Sequence, residues 1–332
     1  MAHVLPPTAS LFDWLDALEL GEPQTARALA LWPLRARQGV APPPCPAHLP
    51  LAEALARGLV QVDEVSEGGS VPHVRVRNAG DIAVLFLFGE EIRGAKQNRV
   101  ANASFLVAPH SSVVLDVSCV EAGRWHRPRG ARFEAAEAIL SSSLRRKMAQ
   151  KVAAARARGK HFDADQAEVW SGIDERILLA RASSPTSAYA DYRGSRAGDV
   201  EALRAAFRPL AGQLGFVAAI DGEIAGLEVL GRPEVLAATL PALVRGYAID
   251  AVDAEFVRAR GEGGVFLEPA PFLAAVARAS VRGGPSLGLG EDLRLDGAGV
   301  VGCALACGGL VHLSAFPEGS TLVEPGPTEP TL

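Results

Sequence analysis

Cysteine is scarce. Four residues in 332 cannot supply a disulfide framework for a chain of this length, which predicts a reducing, cytoplasmic setting. No apolar run reaches the roughly 20 residues that a bilayer-spanning helix needs; the longest candidate, Val300 to Phe316, is cut by Gly302, Gly308, Gly309 and His312. Residues 1–20 lack a basic n-region and carry Asp13, Asp16 and Glu19, so no secretory signal and no membrane association are expected. A basic excess is missing as well. The net charge is −5, so the one basic stretch, Arg145 to Lys160, reads as a solvated helix face, and the charge balance argues against a nucleic-acid partner. No GxGxxG is read between a strand and a helix, and the sequence contains no GxxxxGK[ST] or HExxH. Cys303 and Cys307 lack a second ligand pair. No metal site is expected and no cofactor is indicated.

What the chain does have is ordinary globular composition, 48% hydrophobic and 21% charged, with enough length for one large core or two modest ones. Residues 10–19 place Leu11, Trp14, Leu15 and Leu18 on one helical stripe. ALALWPLRAR reads as a strand closed by Pro33, and prolines at 42–50 mark an extended connection. From Leu59 to Val120 the pattern is sheet, including IAVLFLF, an apolar run that suits a strand buried on both faces. Phe133 to Lys160 has helical periodicity. The polar stretch 183–199 reads as a loop or linker, and Asp199 as the N-cap of a helix starting at Val200. Asp221-Gly222 between GFVAAI and EIAGLEVL predicts a type I′ hairpin. PEVLAATLPALVRGYAIDA and PAPFLAAVARASV are helices, and a last hairpin turns at Gly308-Gly309. This order predicts an α+β fold: a β-rich N-terminal half with a mixed or antiparallel sheet, packed against a long helix and a C-terminal α/β half with hairpins. Residues 1–317 are expected to form one compact unit, β-rich over 25–130 and helical with hairpins over 131–317, followed by a disordered tail at 318–332.

Polar chemistry concentrates in two segments. GEEIRGAKQNRVANAS, residues 89–104, follows the buried strand and supplies Glu90, Glu91, Lys96, Gln97, Asn98, Arg99 and Asn102. Neighbours on a strand point to opposite faces, so Glu90 and Glu91 share a pocket only if the chain turns at Gly89 or Gly94. A carboxylate beside Lys96 or Arg99 is held ionised and can serve as a base or a ribose anchor; amide side chains can read a base edge. They can equally cap their own loop. SCVEAGRWHRPRG, residues 118–130, supplies Cys119, Glu121, Arg124 and Trp125. Strand alternation puts Cys119 on a mostly apolar face, where a thiol behaves as a small hydrophobe; a nucleophilic role needs a base or a positive field. Trp125 can stack on an aromatic ligand or pack in a core.

The strings ALALWPL, EALARGLVQVDEV, VPHVRVRNAGD, GEEIRGAKQNR, SCVEAGRW and GFVAAIDGEIAGLEVLGRPEVL, over about residues 25–260, resemble the ARG and rhodanese-phosphatase-superfamily-associated domain family. Its name records genomic association with ADP-ribosylglycohydrolases and rhodanese-phosphatase proteins. The resemblance implies a link to NAD or ADP-ribose metabolism, by neighbourhood rather than by site chemistry. Two expectations follow. The protein binds or processes a nucleotide-like small molecule, with Glu90, Glu91, Cys119 and Glu121 as candidate catalytic groups. Lys96, Gln97, Asn98, Arg99, Asn102, Arg124 and Trp125 then hold the ligand. Alternatively, the same residues brace the sheet or a homodimer interface of a non-catalytic protein.

Overall fold

Residues 11, 14–40, 44–66, 68–124, 132–257 and 267–319 are described by the computed structural model. Strand alternation builds its centre. The hairpin of β13 (Gln213–Ile220) and β14 (Glu223–Leu230) turns at Asp221-Gly222, both at positive φ, +52° and +87°, as a type I′ turn requires. Phe216, Ala218 and Ile220 enter one hydrophobic cluster and Val217 and Ala219 a second, on the opposite face. A sheet buried on both sides results.

That sheet has nine strands, in the order β1-β3-β13-β14-β18-β17-β16-β15 with β2 also on β3. The N-terminal contribution is β1 (Leu18–Leu20), β2 (Gln24–Ala26) and β3 (Leu29–Ala36); the C-terminal one is β15 (Ser280–Pro285), β16 (Glu291–Gly297), β17 (Val300–Ala306) and β18 (Leu310–Pro317). Pro33 does not close β3. It falls between the stretch paired with β1, Leu34–Ala36, and the stretch paired with β2, Leu29–Leu31, so the missing N–H interrupts no ladder on that side.

A six-stranded antiparallel sheet runs β12-β8-β9-β11-β6-β5, from β5 (Val60–Glu64), β6 (His73–Asn78), β8 (Glu90–Gly94), β9 (Arg99–Ala101), β11 (Ser111–Cys119) and β12 (Phe133–Ile139). A three-stranded sheet puts β7 (Ala83–Phe86) between β10 (Phe105–Val107) and β4 (His48–Pro50), which is followed by α1 (Leu51–Ala56). Every residue of β7 is buried. With α2 (Ser142–Ala157), α3 (Gln166–Ala180), α4 (Tyr189–Ser195), α5 (Ala197–Ala205), α6 (Pro233–Val257) and α7 (Pro269–Arg278), the fold is α+β.

Three elements differ from the sequence reading. Phe133–Ile139 is a strand on β8, because FEAAEAI also satisfies a period of two; the helix begins only at Ser142, where Ser141 accepts from the Leu144 N–H at 3.4 Å, a serine N-cap. Arg145 and Arg146 on that helix are buried, at 0% and 6% exposure, and are not part of a solvated face. The polar stretch 183–199 carries α4 and the start of α5, with Asp199 inside the first turn of α5 rather than ahead of it. The expected tail lies outside the described residues from 320 onward. Among the described residues one helix, Pro233–Glu255, is long and apolar enough to cross a membrane, yet 72% of its apolar window is buried inside the protein. It packs against β12, β13, β14 and β4, and Arg245 and Asp250 break its apolar run.

Candidate functional site

The segment 89–104 starts with a turn. The Glu90 N–H donates to Leu87 O at 3.0 Å, and Gly89 sits at φ +78° with Arg145 so close that an added Cβ would lie 2.5 Å from its Cδ. Only glycine fits both the dihedral and the space. Strand β8 then sends Glu90 and Glu91 to opposite sides.

Glu90 lines a cleft of about 380 Å³ together with Pro50, Leu87, Ile139, Thr239 and Ala242. Its Oε2 accepts from the Leu87 N–H at 2.9 Å; Oε1 has no hydrogen-bond partner among the described residues. Burial pushes this carboxyl up to about 7, against the opposing bond from Leu87. Glu91 is fully buried, and neither carboxylate oxygen accepts a hydrogen bond among the described residues. Its nearest cation is Arg193, with Nη1 at 3.2 Å from Oε2. Burial pushes the Glu91 carboxyl up, and Arg193 and Arg93 oppose it.

Those two arginines open a second cleft, of about 430 Å³, lined by Arg93 from β8, Arg193 from α4, Val200 and Glu201 from α5, and Arg245 from α6. Arg93 is exposed and makes no hydrogen bond or ion pair with another described residue. Arg193 keeps 17% of its side chain exposed and, among the described residues, pairs only with Glu91. Arg245 lines both clefts. Its Nε donates to Glu201 at 3.1 Å, and Arg204 donates to the same carboxylate at 2.8 Å.

The later residues of the segment behave differently. Gln97, Asn98 and Arg99 do meet Glu121 and Arg124, since β9 pairs with β11 through Cys119↔Arg99. They bond to one another. Arg124 donates from Nε to Glu121 at 2.9 Å, from Nη1 to Ala95 O at 2.9 Å and from Nη2 to Asn98 Oδ1 at 3.2 Å. Glu121 also accepts from Thr186 at 3.0 Å and from the Asn98 N–H at 3.4 Å. Arg99, with no exposed surface, donates to Gln97 Oε1 at 3.2 Å and lies 3.9 Å from Glu64. Lys96 Nζ donates to Gly68 O at 2.6 Å. Asn102 stands apart, between Phe162 O at 2.7 Å and the Ser118 hydroxyl at 2.8 Å.

Cys119 is dry. Gln166 holds its backbone N–H and C=O at 2.7 and 2.8 Å. Burial pushes the thiol up to about 11, with Arg99 pulling the other way, so at neutral pH it stays protonated and is a poor nucleophile. Trp125 lies outside the described residues.

A third polar centre has no counterpart in the sequence reading. Glu228 on β14 is fully buried and accepts from Arg145 at 2.6 Å, Tyr247 at 2.8 Å and Ser314 at 2.6 Å. His312 lies 3.2 Å from Glu228 and, through its other nitrogen, 2.6 Å from Ser104. Burial alone would raise this carboxyl; Arg145 and the bonds from His312 and Ser314 hold it down at about 2. The network joins α2, α6 and the large sheet, and all its members are buried. Among the described residues, no three His, Cys, Asp or Glu side chains cluster as a metal site would require.

Sequence reasoning missed Arg93, Arg193 and Arg245. Arg93 stands inside GEEIRG, two residues after Glu91, and strand alternation could have put those two on one face. Arg193 was hidden in a stretch read as loop, and Arg245 in a helix read as core. No curated protein and no solved structure matches the chain. The family description that matches runs over residues 17–316, nearly all of the sequence, and the chain therefore belongs to the ARG and Rhodanese-Phosphatase-superfamily-associated Protein domain family.

Proposed function

We propose that this protein binds or processes a phosphate-bearing, nucleotide-like small molecule at the cleft of Arg93, Arg193 and Arg245. One observation carries the reading. Two arginines with N–H groups not engaged by described residues line the same cleft, above a buried carboxylate that engages only one of them. Guanidinium groups suit phosphate oxygens, and each charge-assisted hydrogen bond contributes about 1.5–3 kcal/mol. Glu90, in the adjoining cleft, has a carboxyl that titrates near neutrality and so can give or take a proton at working pH. The family's association with ADP-ribosylglycohydrolases favours an NAD or ADP-ribose derivative, a diphosphate that such a cleft would suit. Cytoplasmic residence belongs to the same proposal.

The cluster of Gln97, Asn98, Arg99, Glu121 and Arg124 favours the bracing role for the second half of the segment, because its members bond to one another. A thermal-shift panel with ADP-ribose, NAD, nicotinamide mononucleotide and pyrophosphate tests the proposal. A specific ligand at one hundred times its dissociation constant adds about 2.7 kcal/mol of stability, and Arg93→Ala is expected to abolish that gain. A flat response across the panel would leave the bracing role alone.

A further inference from the structure

The two clefts differ in chemistry and share a wall. The first presents Arg93 and Arg193. The second is mostly apolar, with Pro50, Leu87, Ile139, Ala238, Pro241 and Ala242 around the Glu90 carboxyl. Arg245 lines both clefts, and it and Arg204, which lines the second, are each bonded to Glu201. Ala238, Ala242 and Arg245 fall at i, i+4 and i+7 on α6, one face of the helix. Alanine and proline leave that face flat, and Ala238 is exposed. At about 430 and 380 Å³, each cleft is within the size range of small-molecule sites and far larger than one phosphate.

From this arrangement we propose that the clefts are two subsites of one nucleoside diphosphate. The phosphates lie against Arg93 and Arg193, the base lies on the Ala238–Ala242 face, and Glu90 Oε1 meets the nucleoside between them. The inference rests on the phosphate-binding reading above and adds the second half of the ligand to it. Arg245, at the junction, is placed to contact the phosphate nearest the ribose. A flat ring on an alanine face buries apolar area on both sides, at about 25 cal/mol per Å², and that gain is unavailable to pyrophosphate.

Titration calorimetry with pyrophosphate, ADP and UDP separates the two ideas. The tighter of the two nucleotides should bind at least tenfold more tightly than pyrophosphate. Ala238→Trp, at an exposed position, should erase that advantage while leaving pyrophosphate affinity within twofold, and Ala242→Leu should do so in part. Arg93→Ala should weaken all three ligands about tenfold. Unchanged melting temperatures would exclude unfolding as the cause. If pyrophosphate binds and responds to Arg93→Ala, but neither nucleotide gains over it or Ala238→Trp has no effect, the two-subsite proposal is overturned and the phosphate site stands. If none of the three binds, both fall.

Discussion

Two regions of this molecule grow from the same sixteen residues. At one end Glu90 and Arg93 line open clefts, with a carboxyl near neutrality and two guanidinium groups little engaged by the protein. At the other end Gln97, Asn98 and Arg99 are buried at 3%, 8% and 0% exposure and bonded to Glu121, Arg124 or one another. Both halves are polar and each carries an arginine, with acids in the first and amides in the second. What separates them is the partner strand. β9 pairs with β11, which delivers Glu121 and leads to Arg124, so complementary charges arrive together. β8 pairs with β12, which sets Glu134 opposite Arg93 with no hydrogen bond or ion pair between them and brings apolar Phe133, Ala135 and Ile139 at its other register positions. A polar run is a site where the fold withholds its partners, and a brace where it supplies them.

Substitutions can sharpen or break that contrast. Glu121→Ala strands Arg124 and Thr186 and should cost about 3 kcal/mol, discounted for the partial exposure of Arg124, with ligand affinity unchanged; urea unfolding and calorimetry on one preparation would show it. A large loss of affinity at constant stability would move Glu121 into the site. Glu90→Gln comes next. The folded carboxyl titrates at about 7 against an ordinary 4.5, so ionisation is disfavoured in the native state. The contribution of Glu90 to wild-type stability is therefore greatest below pH 4.5 and is lost as pH rises through 7. The variant, which cannot ionise, should match wild type at pH 4.5 and exceed it at pH 8 by up to about 3 kcal/mol. Equal urea midpoints at both pH values would remove the special status of Glu90.

Arg93→Ala should leave stability within about 0.5 kcal/mol, as for an exposed side chain, while phosphate-ligand affinity drops about tenfold, or roughly 1.4 kcal/mol. A stability loss without an affinity loss would make Arg93 another brace. Cys119→Ala is expected to have the smallest effect, about 1 kcal/mol from lost packing, with binding and any turnover intact. Loss of activity at preserved stability would restore the thiol as a nucleophile.

Much of this architecture was legible. The Asp221-Gly222 hairpin, the buried run at β7 and the final hairpin follow from turn chemistry and apolar runs, which are local. The segment 89–104 stood out by polar density, also local. Strand β12 was read as helix because phenylalanine and alanines spaced over seven residues satisfy both periods, and only pairing with β8 decides between them. Arg193 and Arg245 come to Arg93 from α4 and α6, a juxtaposition no local pattern encodes. The engagement of Arg145 by Glu228, 83 residues away, was illegible for the same reason.

Strand β3 lies between β1 and β13, so one edge of its ladder is emitted by the ribosome early and the other only after two thirds of the chain. Loop closure over such a span adds little to the equilibrium cost, because that term grows logarithmically, but it delays the pairing. Until β13 emerges, β3 offers an apolar strand edge to any neighbouring nascent chain, an invitation to aggregation. Expression at reduced temperature, or with a holdase that covers that edge, should therefore raise the soluble yield more than any change at the clefts.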